Sequence, residues 1–243
     1  MKISRLCRWT VFVAFATLAG CGGAPSSADD HCPSAPGVSG SPGSIAEAVA
    51  MANALYAARI HDDDPLTLPC FVQRLARPLS TVAVTGQISL QPADGARSPR
   101  IFLFSGSLVM SVAPSGAGNP FLELAEYTTS PTRSIKAQME FPLTAPLPLA
   151  DPYDSIREKA GTVCGGCHRD EVQSTSVTFT QGFESSVFRP LPSEQVPLLY
   201  LQDQTRTCDP KAEPARCEML DAVYNHGNVT VGSFSPDAET IYD

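Results

Sequence analysis

Residues 80–143 carry the pattern that most restricts the fold of this chain, an alternation of apolar and polar side chains. Over 134–141 apolar residues occupy every second position and polar residues the positions between, as in a strand with one buried face. The apolar set is expected to point inward, and the polar set, which includes Lys136, outward. Similar or more continuously apolar stretches cover 80–91, 100–112 and 121–128. The pattern predicts four or five strands.

No helical stretch separates these strands, so they are expected to pair antiparallel, in a small sandwich or barrel. Helices are expected beside them. A capping box, Ser44 to Glu47, begins an apolar-periodic stretch that reaches about Arg59, and a second short helix is expected over 68–76. The predicted fold class is therefore α+β, with an antiparallel β-rich body and flanking helices.

A proline-rich segment, 142–152, contains four prolines. It predicts a boundary between a body, 44–148, and a C-terminal segment, 149–243. Asp151 and Pro152 suit the cap and first residue of a helix that would lead toward residue 164.

The N-terminus has the form of an export signal. A basic start precedes the apolar run Trp9–Ala19, which is too short to span a membrane and has the length of a signal-peptide core. The run ends in Leu18–Cys21, which resembles the bacterial lipobox. The alternative is an ordinary secretory signal with an incidental cysteine.

The lipobox resemblance implies a signal peptide over 1–20, a lipid on Cys21 and a Gly/Ser/Pro-rich tether over 21–43. It places the protein in a bacterial cell envelope, anchored on the periplasmic side of the inner or outer membrane or at the cell surface. The membrane would then be reached through the lipid alone.

The pentapeptide Cys164-Gly165-Gly166-Cys167-His168 has the spacing of a c-type haem attachment motif. Over this short stretch the chain resembles the cytochromes c. The resemblance implies one covalent haem c, with thioether bonds from Cys164 and Cys167 and His168 as proximal iron ligand. It also implies one-electron transfer and makes 149–243 a helical haem-binding segment.

Two residues are candidates for the distal iron ligand. Met219 and His226 are seven positions apart on a helix predicted between Pro214 and Gly227, so they share one face. Each has a simpler interpretation, Met219 as core and His226 as a residue near a helix C-terminus. An open distal position would permit a peroxidase-like or gas-sensing role instead.

Arginine side chains could hold the haem propionates, since guanidinium pairs well with carboxylate. The candidates are Arg157, Arg169 and Arg189.

The chain has eight cysteines, and the export signal accounts for two of them, since Cys7 would leave with the leader and Cys21 would be lipidated. The haem motif uses Cys164 and Cys167. Four remain for disulfides, which persist outside the cytoplasm: Cys32, Cys70, Cys208 and Cys217. Pairs Cys32–Cys70 and Cys208–Cys217 are suggested, although spacing alone leaves connectivity open.

The formal net charge is -8, and losing three basic residues with the leader would bring it to about -11. An acidic surface argues against nucleic acid as a partner and suits a basic redox partner protein.

Two alternatives to haem remain open. Cys164, Cys167, Cys208 and Cys217 could supply four thiolates to a structural zinc ion, or the CxxC pair could be a thiol–disulfide site. With zinc, or with these four cysteines in disulfides, the protein would be a lipoprotein that acts as a binding module without haem.

Overall fold

The computed structural model describes Cys32 and residues 40–58, 64–86 and 91–242. The predicted leader 1–20, the lipidation site Cys21 and most of the tether 21–43 lie outside the described residues. So do positions 87–90 of the first predicted strand.

One large sheet dominates the fold. The described strands are β1 (Leu79–Val84), β2 (Arg100–Ser105), β3 (Leu108–Val112), β4 (Phe121–Tyr127), β5 (Arg133–Glu140), β6 (Arg157–Glu158), β7 (Gly161–Thr162), β8 (Val172–Gln173), β9 (Phe183–Ser186), β10 (Gln195–Val196) and β11 (Val229–Val231). Nine of them form the order β10-β1-β2-β3-β4-β5-β9-β8, with β11 added parallel to β1. The other neighbours in the sheet pair antiparallel. Strands β6 and β7 form a separate hairpin.

The predicted class, α+β with an antiparallel-dominated sheet, is confirmed. Nine of the described strands form one sheet whose path has two ends, so the described strands show neither a closed barrel nor two sheets packed as a sandwich. Helices, rather than a second sheet, cover the apolar face, and this leaves no need for the sheet to close on itself. The expected break between β2 and β3 falls at Gly106, whose φ of +60° is readily adopted by glycine.

The described helices are α1 (Ile45–Ala57), α2 (Leu68–Gln73), α3 (Asp151–Asp154), α4 (Leu198–Arg206) and α5 (Pro214–Tyr224). The Glu47 amide donates to Ser44 Oγ at 3.2 Å, as the capping box predicts. The Glu47 carboxylate accepts from the Gly43 amide at 2.6 Å, one residue earlier than the box requires. In the described ranges, no helix combines the length and the hydropathy needed to cross a bilayer.

The core lies between one face of the sheet and the helices. Leu103, Met110 and Leu122 point to this face, and each is at most 1% exposed. Met219 and Val223 of α5 are buried in the same cluster. Fully burying an apolar side chain of this size contributes about 1.5–3 kcal/mol, so the arrangement of α5 is determined largely by this face.

The opposite face of the sheet is also covered. Lys136 lies beside Ala125, which lies beside Val109, in one row across β5, β4 and β3. Lys136 therefore points away from the core, as the alternation predicts, yet it is only 6% exposed. It lines a pocket together with Val163, Cys164, Cys167 and His168.

The disulfides follow the pairing that the cysteine count suggested, Cys32–Cys70 and Cys208–Cys217. Residues on both sides of position 148 share the sheet, because β9 pairs with β5 and β10 pairs with β1.

The predicted helix before Cys164 is shorter than expected. It ends after four residues at Asp154, and the β6–β7 hairpin replaces its remainder, turning at Lys159 with φ +53°. The C-terminal segment is thus mixed, with short strands as well as α4 and α5.

Candidate functional site

The Glu171 carboxylate holds the turn that carries the CGGCH motif. The Thr162 amide donates to Glu171 Oε1 at 2.8 Å, and the Thr162 hydroxyl donates to Oε2. The Cys164 amide in turn donates to Thr162 Oγ1 at 3.2 Å, which caps a 3-10 turn over Val163–Gly166. A Cβ on Gly165 would lie 2.6 Å from Glu171 Oε1, so a side chain there would displace the carboxylate.

The imidazole of His168 is held by one ring nitrogen. Its Nδ1 lies 2.8 Å from the Ser186 carbonyl oxygen, and because a carbonyl only accepts, Nδ1 must carry the proton. This tautomer leaves the lone pair on Nε2. The ring also stacks on Phe188, with centroids 5.3 Å apart and planes 12° from parallel. The contacts define both the ring orientation and the nitrogen available to a metal.

The same surroundings keep His168 neutral. Burial, together with the positive charges of Lys136 and Arg100, lowers the pKa of His168 from 6.5 to about 3. A metal binds the neutral imidazole, so this environment suits a ligand at neutral pH.

Both motif cysteines are free thiols; Cys164 is partly buried and Cys167 exposed. Burial, followed by the charge of Glu123, raises the pKa of Cys164 to about 11. A reactive thiol–disulfide site needs a lowered thiol pKa instead. The environment of Cys164 therefore argues against that alternative.

The zinc alternative loses two of its four thiolates, because Cys208 and Cys217 form a disulfide. Within the described part of the chain, no group of three or more His, Cys, Asp or Glu side chains is placed to hold a metal ion. Zinc coordination by the four cysteines together is incompatible with this pairing.

The motif borders a pocket on the outward face of the sheet, with a cavity volume of about 170 Å³. Its apolar lining includes Phe102, Val109, Val187, Phe188 and Phe234. Its charged lining comprises Arg100, Glu123, Lys136, Arg189 and Glu194. A concave apolar pocket with a few converging polar groups is the usual form of a ligand site.

The charged residues of the pocket differ in how they are compensated. Arg100 forms an ion pair with Glu123, and the Arg189 Nε donates to the Ala238 carbonyl at 2.8 Å. Lys136 Nζ donates to Ser134 Oγ at 2.7 Å. Burial lowers the pKa of Lys136 from 10.5 to about 8, against the opposing effect of Cys164.

The structure does not bring the two predicted distal ligands to His168. Met219 is fully buried in the core on the helix-covered face. The Nε2 of His226 lies 2.9 Å from Asp221 Oδ2, and neither residue lines the pocket. This placement argues against both as distal ligands.

One of the three candidate propionate arginines, Arg189, lines the pocket. Arg169 lies over the Phe188 ring and 3.6 Å from Glu239. Arg157 pairs with Asp154 at 3.5 Å.

Sequence reasoning missed Arg100, Glu123 and Lys136 as pocket residues. Each lies at an outward position of its strand, so the alternation could have grouped them. Nothing in the sequence pattern shows which segment covers that face.

Replacing Glu171 tests whether its carboxylate holds the turn that carries the CGGCH motif. In Glu171→Ala we expect the amides of Thr162 and Cys164 to exchange hydrogen about tenfold faster or more, because a charge-assisted hydrogen bond is lost and the cap loosens. The measurement is native-state hydrogen exchange. The matched control is Glu158→Ala, since the one ion pair of this exposed carboxylate among the described residues is a 3.8 Å contact with Lys159. Unchanged exchange in Glu171→Ala would mean that the carboxylate does not hold the turn.

Comparisons with known proteins do not assign a family. No protein-family model matches the chain, and no curated protein and no solved structure matches it significantly. The functional argument therefore depends on the residues of the site.

Proposed function

We propose that the chain is an exported, monohaem, c-type cytochrome-like protein, with haem attached through Cys164 and Cys167 and iron bound by His168. The observation that carries the proposal is the hydrogen bond from His168 Nδ1 to the Ser186 carbonyl. Metal-binding histidines use this arrangement, with one nitrogen bonded to a carbonyl and the other facing the metal. Two unpaired thiols lie on the same turn.

The pocket residues suit a haem in their chemistry, although the cavity of about 170 Å³ would take only part of the macrocycle and leave the rest outside it. Phe102, Phe188 and Phe234 supply aromatic surface for a flat apolar ligand, and Arg189 offers a cation for a propionate. Haem, when bound, supplies one-electron redox chemistry. The chain's own contribution is to orient His168 through the Ser186 carbonyl and to keep its imidazole neutral, with the lone pair on Nε2.

Export and anchoring belong to the same proposal. The leader 1–20 and the lipobox at Cys21 support lipid attachment in a bacterial envelope, the compartment in which haem attachment is completed. The two disulfides agree with an oxidising compartment. The acidic charge supports a basic redox partner protein.

A second candidate function is small-molecule binding at an open distal position, with electron transfer secondary. Among the described residues that line the pocket, no methionine occurs, and His168 is the one histidine. The pocket holds Glu123 and Lys136 instead, which are groups able to accept or donate a proton. A peroxidase-like or gas-sensing role is compatible with this lining.

Attachment is tested with cysteine variants made in a host that has haem-attachment machinery. The double variant Cys164→Ala/Cys167→Ala is expected to release all of its haem when the protein is denatured and washed, whereas the wild type keeps it. The matched control, Cys208→Ser/Cys217→Ser, removes a disulfide away from the pocket and should retain covalent haem. Haem retained by the first variant, or absent from the wild type, would contradict the proposal.

A further inference from the structure

A buried lysine without an ion pair lies in the floor of the pocket. Lys136 is 6% exposed and lines the cavity. Its ammonium has three N–H donors, and the described residues accept one of them, through Ser134 Oγ at 2.7 Å. No ion pair of Lys136 occurs among the described residues. Burying an ammonium in this way is costly unless a partner compensates its charge.

The positive and negative side chains of the pocket lining balance each other, except for Lys136. Arg100 is balanced by Glu123, and Arg189 and Glu194 contribute one charge of each sign. With Lys136 included, the lining therefore carries one uncompensated positive charge. Because Lys136 has no ion pair among the described residues, a ligand with a single negative charge could pair with its ammonium.

A second buried polar group near Lys136, the hydroxyl of Ser185, also lacks hydrogen-bond partners among the described residues. Ser185 lies directly opposite Ser134 across β5 and β9, so it shares the face that carries Lys136. Its Oγ is buried and has no hydrogen-bond partner in the described chain. Ser185 does not line the cavity, so its hydroxyl is an unsatisfied polar group near Lys136 and not part of a site for a negatively charged ligand.

A haem propionate is a poor match for Lys136. Lys136 and Cys164 both line the pocket, so the ammonium shares this cavity with a thiol of the motif. In haem the thioether-linked edge and the propionate edge are opposite edges of one rigid ring. Arg100 is paired with Glu123, so Arg189 is the pocket cation that we assign to the propionates.

We propose that Lys136 makes the inner end of this pocket a binding site for a small monovalent anion. The proposal deepens the proposed function, on which it rests for the haem beside the anion. Lys136 lines a cavity of about 170 Å³, which suits a ligand of a few atoms. Two N–H groups of the ammonium remain for its hydrogen bonds.

The test uses nitrite as the probe. Isothermal titration calorimetry at constant ionic strength should show saturable binding of one nitrite per wild-type chain. Lys136→Gln, which removes the charge at similar size, is expected to weaken binding about tenfold or more, because a charge-assisted hydrogen bond is lost. Lys136→Met should weaken it similarly. The control Lys211→Gln changes an exposed lysine outside the pocket and should leave the affinity unchanged.

The haem content of each sample separates this inference from the proposed function. Haem present with no nitrite binding, or with equal affinity in wild type and Lys136→Gln, overturns the anion site and leaves the cytochrome assignment standing. Haem absent with Lys136-dependent binding supports the anion site and rejects the cytochrome assignment. A change of iron spin state in Lys136→Gln without nitrite would show that the amine binds iron itself, which also overturns the anion site.

Discussion

His168→Ala is expected to abolish the iron–imidazole bond while the chain still folds and is exported. His168 is the one histidine of the described pocket lining, and its Nε2 carries the lone pair because Nδ1 donates to Ser186. Removing the ring takes away the ligand and its stacking on Phe188. The iron of the wild type should give the absorption and electron paramagnetic resonance signals of an axial histidine, and these should be absent from the variant.

The matched control is His226→Ala. His226 pairs with Asp221 on α5 and does not line the pocket, so its removal should leave the iron spectrum unchanged. Added imidazole should restore an axial nitrogen signal to His168→Ala, because the vacated space is the size of the missing ring. An unchanged spectrum in His168→Ala, or a lost histidine signal in His226→Ala, would refute the proximal assignment.

Lys136→Met is expected to stabilise the folded protein at pH 7 by about 3 kcal/mol. The pKa of Lys136 falls from 10.5 to about 8 on burial, and that difference corresponds to about 3 kcal/mol of unfavourable free energy for the charged form. Methionine has a similar length and no charge to desolvate. The measurement is the free energy of unfolding in urea, without added nitrite.

The stability difference between the wild type and Lys136→Met should change with pH in a defined direction. Between pH 8 and 10.5 the unfolded chain holds the Lys136 proton more tightly than the folded protein does, so wild-type stability rises with pH relative to Lys136→Met. Below pH 8 the stability difference stays constant, and above 10.5 its charge-dependent part vanishes. The other titratable or charged groups that act on Lys136 are Cys164, Arg100, Glu123, Glu171 and His168. All of these groups are present in both the wild type and Lys136→Met, so the comparison isolates the charge of Lys136.

Lys211→Met is the control for this experiment, because Lys211 is exposed and surface substitutions usually change stability by less than about 0.5 kcal/mol. A Lys136→Met protein less stable than the wild type, or a difference that does not change between pH 8 and 10.5, would show that the ammonium is not penalised by burial.

The alternation in the sequence predicted β5 and the direction of Lys136, because strand side chains alternate strictly between faces. It did not predict the burial of Lys136, since the other residues that line its pocket include 163–164, 167–168, 187–190, 194, 234 and 241–242. Those contacts bridge long distances in the chain and leave no local pattern. The strands from β8 onward, each four residues or shorter, are likewise too short to show a period.

The distal ligands show a different limit. The predicted helix ends at Tyr224, so Met219 lies on α5 and His226 lies beyond its C-terminus. Helical spacing also does not say what a helix face packs against. In α5 the apolar face packs against the sheet core, together with Val223 and Leu220. The cysteine pairing was easier to predict, because assigning the leader, the lipid and the motif left just four cysteines.

The pyridine haemochrome spectrum of the denatured, washed wild-type protein tests the central claim most directly. The protein is made with haem-attachment machinery, and its zinc content is measured on the same sample. The cytochrome assignment predicts a haem c spectrum with one haem per chain, retained through denaturation because the thioether bonds are covalent. A colourless protein, or one that holds stoichiometric zinc in place of haem, would contradict it.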